Sequence, residues 1–323
     1  MSGGFARGTR VWQHGYVLRM IINTKFAVVA VVVGLALSGC AAQPAASDGR
    51  IVAVGAENQY TSVIAQIGGR YVDASSVMSN PNTDPHTFEA SAQVASTISS
   101  ASLVVQNGLG YDSFMTKIEA ASPSSSRTVI TAQKILGLPD STVNPHLWYS
   151  PGTMPTVAKS IAAALSAKAP SHRAYFAANL AKFDASLAKW TTALAAFKAA
   201  HPSAPVATTE PVADYMLEAA GAKNLTPWAL QSAIMNDTDP APQDVAIQNG
   251  LFTSGRVKVF LYNQQVTDSI TSTYLKLAHA NHVPVVGVYE TMPTGGYTYQ
   301  SWMEAELAAL DKAVTSGVST EHL

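Results

Sequence analysis

The chain has 323 residues, 47% of them apolar and only 13% charged. That supplies material for one large or two medium cores and excludes a disordered, highly solvated chain. Residues 1–39 hold Arg7, Arg10, Arg19 and Lys25 and no acid, so the remainder carries 16 basic against 21 acidic residues, a net of −5. This argues against nucleic-acid binding, which wants a basic stripe, and suits a cationic cargo.

The first forty residues read as an address. Lys25 precedes an apolar run from Phe26 to Leu37, followed by Ser38, Gly39 and Cys40. Basic residues, a short apolar core and small residues before a cut site make a secretory signal. A helix of about 12 residues spans roughly 18 Å, short of the roughly 30 Å hydrocarbon core. Leu37-Ser38-Gly39-Cys40 resembles the bacterial lipobox, whose cysteine is lipidated and becomes the mature N-terminus. Cys40 is the only cysteine, so no intrachain disulfide forms. Met20 reads as the true start. Residues 40–50 are small, polar or Pro and read as a tether, and acyl chains on Cys40 would hold the protein to a lipid membrane.

From Ile51 the chain alternates strand-like and helix-like segments. Strands are expected at Ile51–Val54, Tyr71–Met78, Leu103–Val105 and Thr128–Ile130, with helices at Tyr60–Ile67, Ala90–Ser99 and Phe114–Ala121. Such alternation predicts a mainly parallel sheet flanked by helices, here an N-terminal α/β lobe over 51–150. A helical linker over 151–202 follows. It holds a helix at Thr153–Ala167 and, after Pro170, a long backbone helix at Ser171–Ala200. Tyr175, Leu180, Phe183, Leu187, Trp190, Leu194 and Phe197 give the long helix an apolar stripe. The alternation then restarts as a C-terminal α/β lobe over 203–323. Strands are expected at Val206–Thr208, Val257–Leu261 and Val283–Val288, with helices at Val212–Ala220, Asp244–Leu251, Ile270–Ala278 and Tyr299–Ala313. Two lobes on a stiff helix predict small relative motion.

Open α/β sheets bind ligands beyond the C-terminal ends of their strands. Metal-competent residues in such loops are therefore the candidates. His86 lies in Asp84-Pro85-His86-Thr87-Phe88 and His146 in Asn144-Pro145-His146-Leu147-Trp148. Both follow a short polar residue and a Pro and precede an aromatic by two positions. Pro fixes its own φ and pushes the preceding residue to extended geometry, so each His sits on a stiffened loop. Each alone also reads as a surface or capping histidine. In the second half, Glu210 follows the strand ending at Thr208 and Glu290 follows the strand ending at Val288. Each alone also reads as an acid favoured by a helix N-terminus. Together, two neutral imidazoles and two carboxylates balance a dication and match its preference for nitrogen and oxygen donors.

These residues, in this order, resemble the metal-binding subunits of bacterial ABC importers for zinc, manganese and iron, the cluster-nine solute-binding proteins. The likeness covers nearly the whole mature chain: the lipobox at Cys40, the two Pro-His motifs, Asn107-Gly108-Leu109-Gly110, the long helix, Glu210 and Glu290. It implies two α/β lobes bridged by a backbone helix, with one metal between them. Carried over, His86 and His146 would be the first two ligands and Glu210 the third, where zinc-type members usually carry histidine and manganese-type members glutamate. Glu290 would be the fourth, where the family usually has aspartate. The chain also lacks the His- and acid-rich loop of many zinc-type members, and no histidine lies between the two Pro-His motifs. Both features lean toward manganese or iron, and the cargo expected is one divalent ion, Mn2+ favoured over Zn2+ or Fe2+. The resemblance further implies an extracytoplasmic, monomeric lipoprotein that delivers its ion to the permease of an ABC transporter and is not an enzyme.

Two other readings stand beside it. A metallohydrolase would keep an open coordination position for water, which the site would have if Glu290 did not ligate. A surface adhesin is the other, for which the sequence has no repeat or exposed adhesive segment. His172, His201, His279 and His282 have no repeated context and read as surface histidines. Asp84 and Glu89 flank His86 and are placed to orient its second ring nitrogen or to cap the next helix. Trp148 and Tyr289 read as core or as walls of the site. No GxSxG, P-loop or HExxH motif is present.

Overall fold

The computed structural model describes residues 49–81, 88–293 and 296–323. The signal sequence, Met20, Cys40, Asp84 and His86 lie outside the described residues.

The first sheet is built from β1 (Ile51–Glu57), β2 (Val72–Met78), β3 (Leu103–Gln106) and β4 (Thr128–Thr131), in the order β2-β1-β3-β4. The second is built from β5 (Pro205–Thr208), the two-residue β6 (Lys223–Asn224), β7 (Val259–Asn263) and β8 (Val285–Val288), in the order β6-β5-β7-β8. Every ladder is parallel. Both halves therefore repeat one topology, and in both the winding reverses beside the first strand. That reversal opens a crevice at the carboxyl ends of β1 and β3, and again at β5 and β7.

The strands β1, β3, β7 and β8 are mostly apolar because helices cover both faces. Every residue of β3, β7 and β8 is buried, as parallel sheets require. Around the first sheet lie α1 (Asn58–Gly68), α2 (Ala92–Ser100), α3 (Ser113–Ala121) and the single turn α4 (Ala132–Ile135). Around the second lie α8 (Asp214–Ala219), α9 (Trp228–Met235), α10 (Pro242–Thr253), α11 (Ser269–Ala280) and α12 (Tyr299–Ser316). Capping boxes start α11 at Asp268 and Thr271 and α12 at Thr298 and Ser301. α12 stops at Gly317, whose φ of 65° lets its N–H reach the Ala313 carbonyl.

Between the sheets run α5 (Thr153–Lys168), α6 (Arg173–Ser186) and α7 (Ala188–Ala200). The expected long helix over Ser171–Ala200 is thus divided at Leu187. Leu187 keeps helical dihedrals, φ −75° and ψ −14°, but its N–H bonds to Asp184 three residues back. Ser186 Oγ donates to the Phe183 carbonyl at 2.6 Å, competing for the acceptor that Leu187 would use in a continuous helix. The predicted stripe is buried at Phe183, Leu187, Trp190, Leu194 and Phe197. At its start Phe176 is buried in place of its half-buried neighbour Tyr175.

One apolar cluster continues from the first sheet (Val54, Val104) through Ile161 of α5 and Trp190 of α7 into Val206 and Val288 of the second sheet and Trp302 of α12. A smaller cluster, with Leu230, Phe252, Phe260 and Tyr274, packs the other face of the second sheet. The two sheets therefore share an interior, and the polar groups between them must be satisfied there. Among the described residues no helix is long and apolar enough to cross a membrane.

Candidate metal centre

β5 and β8 deliver the two acids. Glu210 stands two residues beyond β5 and Glu290 two residues beyond β8. β7 lies between these strands in the sheet, so its last residue, Asn263, falls between the two side chains. Asn263 Nδ2 donates to Glu210 Oε2 and, at 2.7 Å, to Glu290 Oε1. Asn263 is itself fixed: its N–H donates to Thr209 Oγ1 and its Oδ1 accepts from the Gln265 N–H, both at 3.0 Å. Gln265 Oε1 then accepts from the backbone N–H groups of Glu290 and Thr291 at 2.6 and 2.9 Å. Both acids are almost wholly buried, Glu210 at 2% and Glu290 at 0% exposure.

His146 comes from the loop before Leu147–Tyr149, a single 3-10 turn, and is fully buried. Its ring stands edge-on to Trp148, with centroids 5.4 Å apart, and to Tyr111, 6.0 Å away. Asn144 sets its tautomer. Asn144 Nδ2 donates to the Pro211 carbonyl at 2.9 Å, and Asn144 Oδ1 accepts from the His146 backbone N–H at 3.0 Å. The amide oxygen therefore also faces His146 Nδ1, at 2.7 Å. Nδ1 carries the hydrogen, and in the neutral ring Nε2 is an acceptor. Nε2 lies 3.2 Å from Glu290 Oε2, another acceptor. Two buried acceptors at this distance repel unless a positive charge, either a proton or a metal ion, sits with them.

The first half of the molecule also holds the Glu290 loop. Tyr111 donates its hydroxyl to Glu290 Oε2 at 3.0 Å. Gln59 Nε2 donates to the Glu290 carbonyl at 3.1 Å. Asn58 pairs with the backbone of Met292 through both its amide groups, at 2.8 and 2.9 Å. Glu57 at the end of β1 is fully buried, and among the described residues neither of its carboxylate oxygens has a hydrogen-bond partner. Burial, and then the neighbouring Asp112 carboxylate, push Glu57 well above the usual carboxylate range. Burial also raises Asp112 to about 6, against the backbone N–H groups of Gly108 and Asn107 that hold its charged form.

Three of the four expected ligands, His146, Glu210 and Glu290, thus stand together and buried: Asn263 joins Glu210 to Glu290, and Glu290 faces His146 directly. The fourth, His86, lies outside the described residues. Among the described residues alone no group of three His, Cys, Asp or Glu side chains could hold a metal ion; Glu210 and Glu290 meet through the Asn263 amide. Trp148 and Tyr289 are buried, and Trp148 walls the imidazole. His279 and His282 are exposed, while His172 is half-buried and stacks on Tyr71 with centroids 3.7 Å apart. Sequence reasoning missed Asn263, Gln265, Tyr111, Asn58, Gln59 and Glu57. Asn263 carries no signal in the sequence, because only the sheet order sets the strand it ends between the two acid-bearing strands.

The sequence model of a family described as "Zinc-uptake complex component A periplasmic" matches residues 54–313. The manganese-binding lipoprotein MntA of Bacillus subtilis (strain 168) is 26% identical over 152 residues, covering 45% of this chain and 49% of that protein. The match thus spans about half the length of that relative. The fold is shared with the periplasmic zinc-binding protein TroA of Treponema pallidum, with a TM-score of 0.70 and 15% identity, covering 84% of this chain and all of that one. It is also shared with a manganese-bound S38A mutant of a periplasmic metal-binding protein from Candidatus Liberibacter asiaticus, with a TM-score of 0.67 and 18% identity, covering 82% of this chain and all of that one.

Proposed function

We propose that this chain, which belongs to the zinc-uptake complex component A family of periplasmic proteins, captures one divalent transition-metal ion and passes it to an ABC import permease. The observation that carries this reading is the pair of acceptors, His146 Nε2 and Glu290 Oε2, held 3.2 Å apart in a fully buried place. That arrangement calls for a positive charge between the two acceptors, and a divalent ion in place of a proton would supply it. Glu210, joined to Glu290 through Asn263, adds a second carboxylate, and His86 is the fourth donor in the proposal. Two imidazoles and two carboxylates neutralise a dication and enclose it with protein donors, an arrangement that suits carriage rather than turnover.

Mn2+ is favoured over Zn2+ or Fe2+ by the glutamate at the third ligand position, and the name of the Bacillus relative supports that choice. Affinity at such donors generally rises from manganese to zinc, so the cargo in the cell is decided by geometry and supply. Lipidation at Cys40 would keep the carrier on the outer face of the membrane beside its permease.

The test is native mass spectrometry with elemental analysis on protein purified from its own host, alongside calorimetry of the apo-protein. One metal ion per chain is expected. His86→Ala and His146→Ala should each lower its affinity by a factor of 100 or so, since loss of a ligand costs at least as much as loss of the group that orients one. Unchanged affinity in both variants overturns the site.

A further inference from the structure

Parallel strands start at one end of their sheet, so the residues just before them share that end. In the first sheet these are Arg50 before β1, Arg70 and Tyr71 before β2, and Arg127 before β4. Helix α5 stops at the same end, where Lys168 Nζ donates to the Ser126 carbonyl at 2.8 Å. The link to α6 follows: His172 stacks on Tyr71, and Arg173 opens α6. The Arg70 guanidinium lies 4.9 Å from the ring centre of Tyr71 and 5.3 Å from that of Tyr175, a cation held against aromatic faces. Arg50, Arg70 and Arg173 are exposed, and so is Val129 in β4. The acids placed at this end are Asp73, 3.9 Å from Arg50, and Glu119, which feels the charge of Arg127. Five permanent cations thus meet two acids, a local balance of +3 on a chain that carries −5 from residue 40 onward.

We infer that the amino end of the first sheet is a docking surface for an anionic lipid membrane, and that it holds the carrier between deliveries with its crevice turned away from the lipid. Cations attract phosphodiester headgroups, and tyrosine rings suit the boundary between headgroups and water. The place of the tether argues for this end in particular. Gly49 and Arg50 lead directly into β1, so residues 40–48 join the body beside these cations. A lipid anchor would keep this end close to the bilayer, and a basic patch is the second signal that an anchored chain commonly uses. The orientation rests on the lipidation of Cys40 proposed above; the charge pattern does not. The crevice lies at the opposite ends of the same strands. β1 has seven residues, and at about 3.3 Å per residue it spans roughly 23 Å. A docked carrier therefore holds its crevice at least that far above the headgroups, open to ions in solution. The attraction fades over about 8 Å at physiological salt, so the contact is reversible and leaves the carrier free to turn its crevice to the permease. The amino end of the second sheet is also basic, with Lys223, Arg256 and Lys258 exposed, but the tether does not join there.

The test places protein purified from its own host on vesicles of phosphatidylcholine alone and of phosphatidylcholine mixed with phosphatidylglycerol, and reads hydrogen exchange on both. On the anionic vesicles the amides of residues 69–71, 123–127 and 169–173 should exchange several-fold more slowly than on the neutral ones, and raised salt should remove the difference. The amide of Val143, on the loop that carries His146, should be indifferent to the lipid. Arg50→Glu, Arg70→Glu and Arg173→Glu together should abolish the slowing, whereas Lys223→Glu, Arg256→Glu and Lys258→Glu together should leave it in place. Should the first triple variant not fold, glutamine at the same three positions serves, and the wild-type comparison decides without any variant. Equal exchange on the two vesicles overturns the inference. So does slowing centred on Val143, slowing that survives the first set of substitutions, or slowing lost with the second. Protein that fails to stay on neutral vesicles removes the proposed lipid anchor; the anionic vesicles still test the docking surface, so the two failures are told apart.

Discussion

The Asn144 side chain donates to the Pro211 carbonyl at 2.9 Å, from the loop that carries His146 to the residue that follows Glu210. The same amide accepts from His146 Nδ1 at 2.7 Å. One residue thus fixes the tautomer of His146, a proposed ligand from the first half, and the backbone beside Glu210, a proposed ligand from the second. Tyr215 supports it from α8, donating to the Asn144 carbonyl at 3.0 Å.

Asn144→Ala should therefore lower metal affinity by roughly 10–100-fold, the range for groups that orient ligands. Asn144→Asp should retain more of it, since a carboxylate still accepts from Nδ1 while losing the donor to Pro211. Calorimetry on both variants checks this. Equal affinities in wild type and Asn144→Ala would show that the imidazole is oriented by its aromatic neighbours alone.

Asn58 gives a second, separable prediction. It pairs with both backbone groups of Met292 across 234 positions of sequence and so pins the Glu290 loop to α1. Asn58→Ala leaves a backbone donor and acceptor unpaired in a half-buried place, costing about 1–3 kcal/mol. The urea midpoint should fall without a change in m, and metal affinity should fall with it because Glu290 loses its fixed reach. A less stable protein with undiminished affinity would separate the loop's hold from its ligand.

Much of the fold was legible because parallel strands are buried on both faces and therefore read as plain apolar runs, as at Leu103–Gln106 and Val259–Asn263. The ends were less legible because polar residues extend the strands into the crevice. β1 runs on to Glu57, and Gln59 is buried beside it, where polarity predicts a surface. The break at Leu187 has no Gly or Pro to mark it and follows from a serine bonding back to its own helix. The acids and His146 were legible from their places after strands and from the Pro-His motif. Asn263 was not, because an asparagine ending a strand ordinarily reads as a turn former, and only the sheet order sets it between Glu210 and Glu290.

Glu306 makes stability depend on pH. Its carboxyl lies on α12 inside the core, accepting from Tyr149 at 2.9 Å and Trp302 Nε1 at 2.8 Å, and burial pushes it up to about 8 from an ordinary 4.5. Below 4.5 the folded and unfolded chains are both protonated and the group is neutral to stability. Between 4.5 and about 8 the unfolded chain ionises while the folded one keeps its proton, so stability falls as pH rises. Above that window the loss is complete and amounts to a few kcal/mol at most. Glu306→Gln should remove this slope, closing the gap between urea midpoints measured at about pH 5 and about pH 9. A slope that persists in the variant would assign it to other groups, of which Glu57 and Asp112 are the first to test.

Gly287 offers the last prediction. It sits on β8, the edge strand of the second sheet, and residues 319–323 lie along that edge. Gly287 donates to the Thr320 carbonyl at 2.9 Å and Thr320 donates to the Val285 carbonyl at 2.8 Å. Gln264 Nε2 donates to the Glu321 carbonyl at 2.7 Å, which places that carbonyl against Gly287. A methyl group there would collide with the Glu321 carbonyl oxygen, a backbone atom that cannot swing aside. Gly287→Ala should therefore dislodge the C-terminal segment, at a cost of about 1–3 kcal/mol for overpacking. It should also expose the ladder groups of β8, which an uncovered edge offers to other chains. Hydrogen exchange should then show the Gly287 and Thr320 amides losing protection together, with self-association rising in the same variant. If both amides stay protected, the segment has another hold on the sheet and the glycine is not required for its docking.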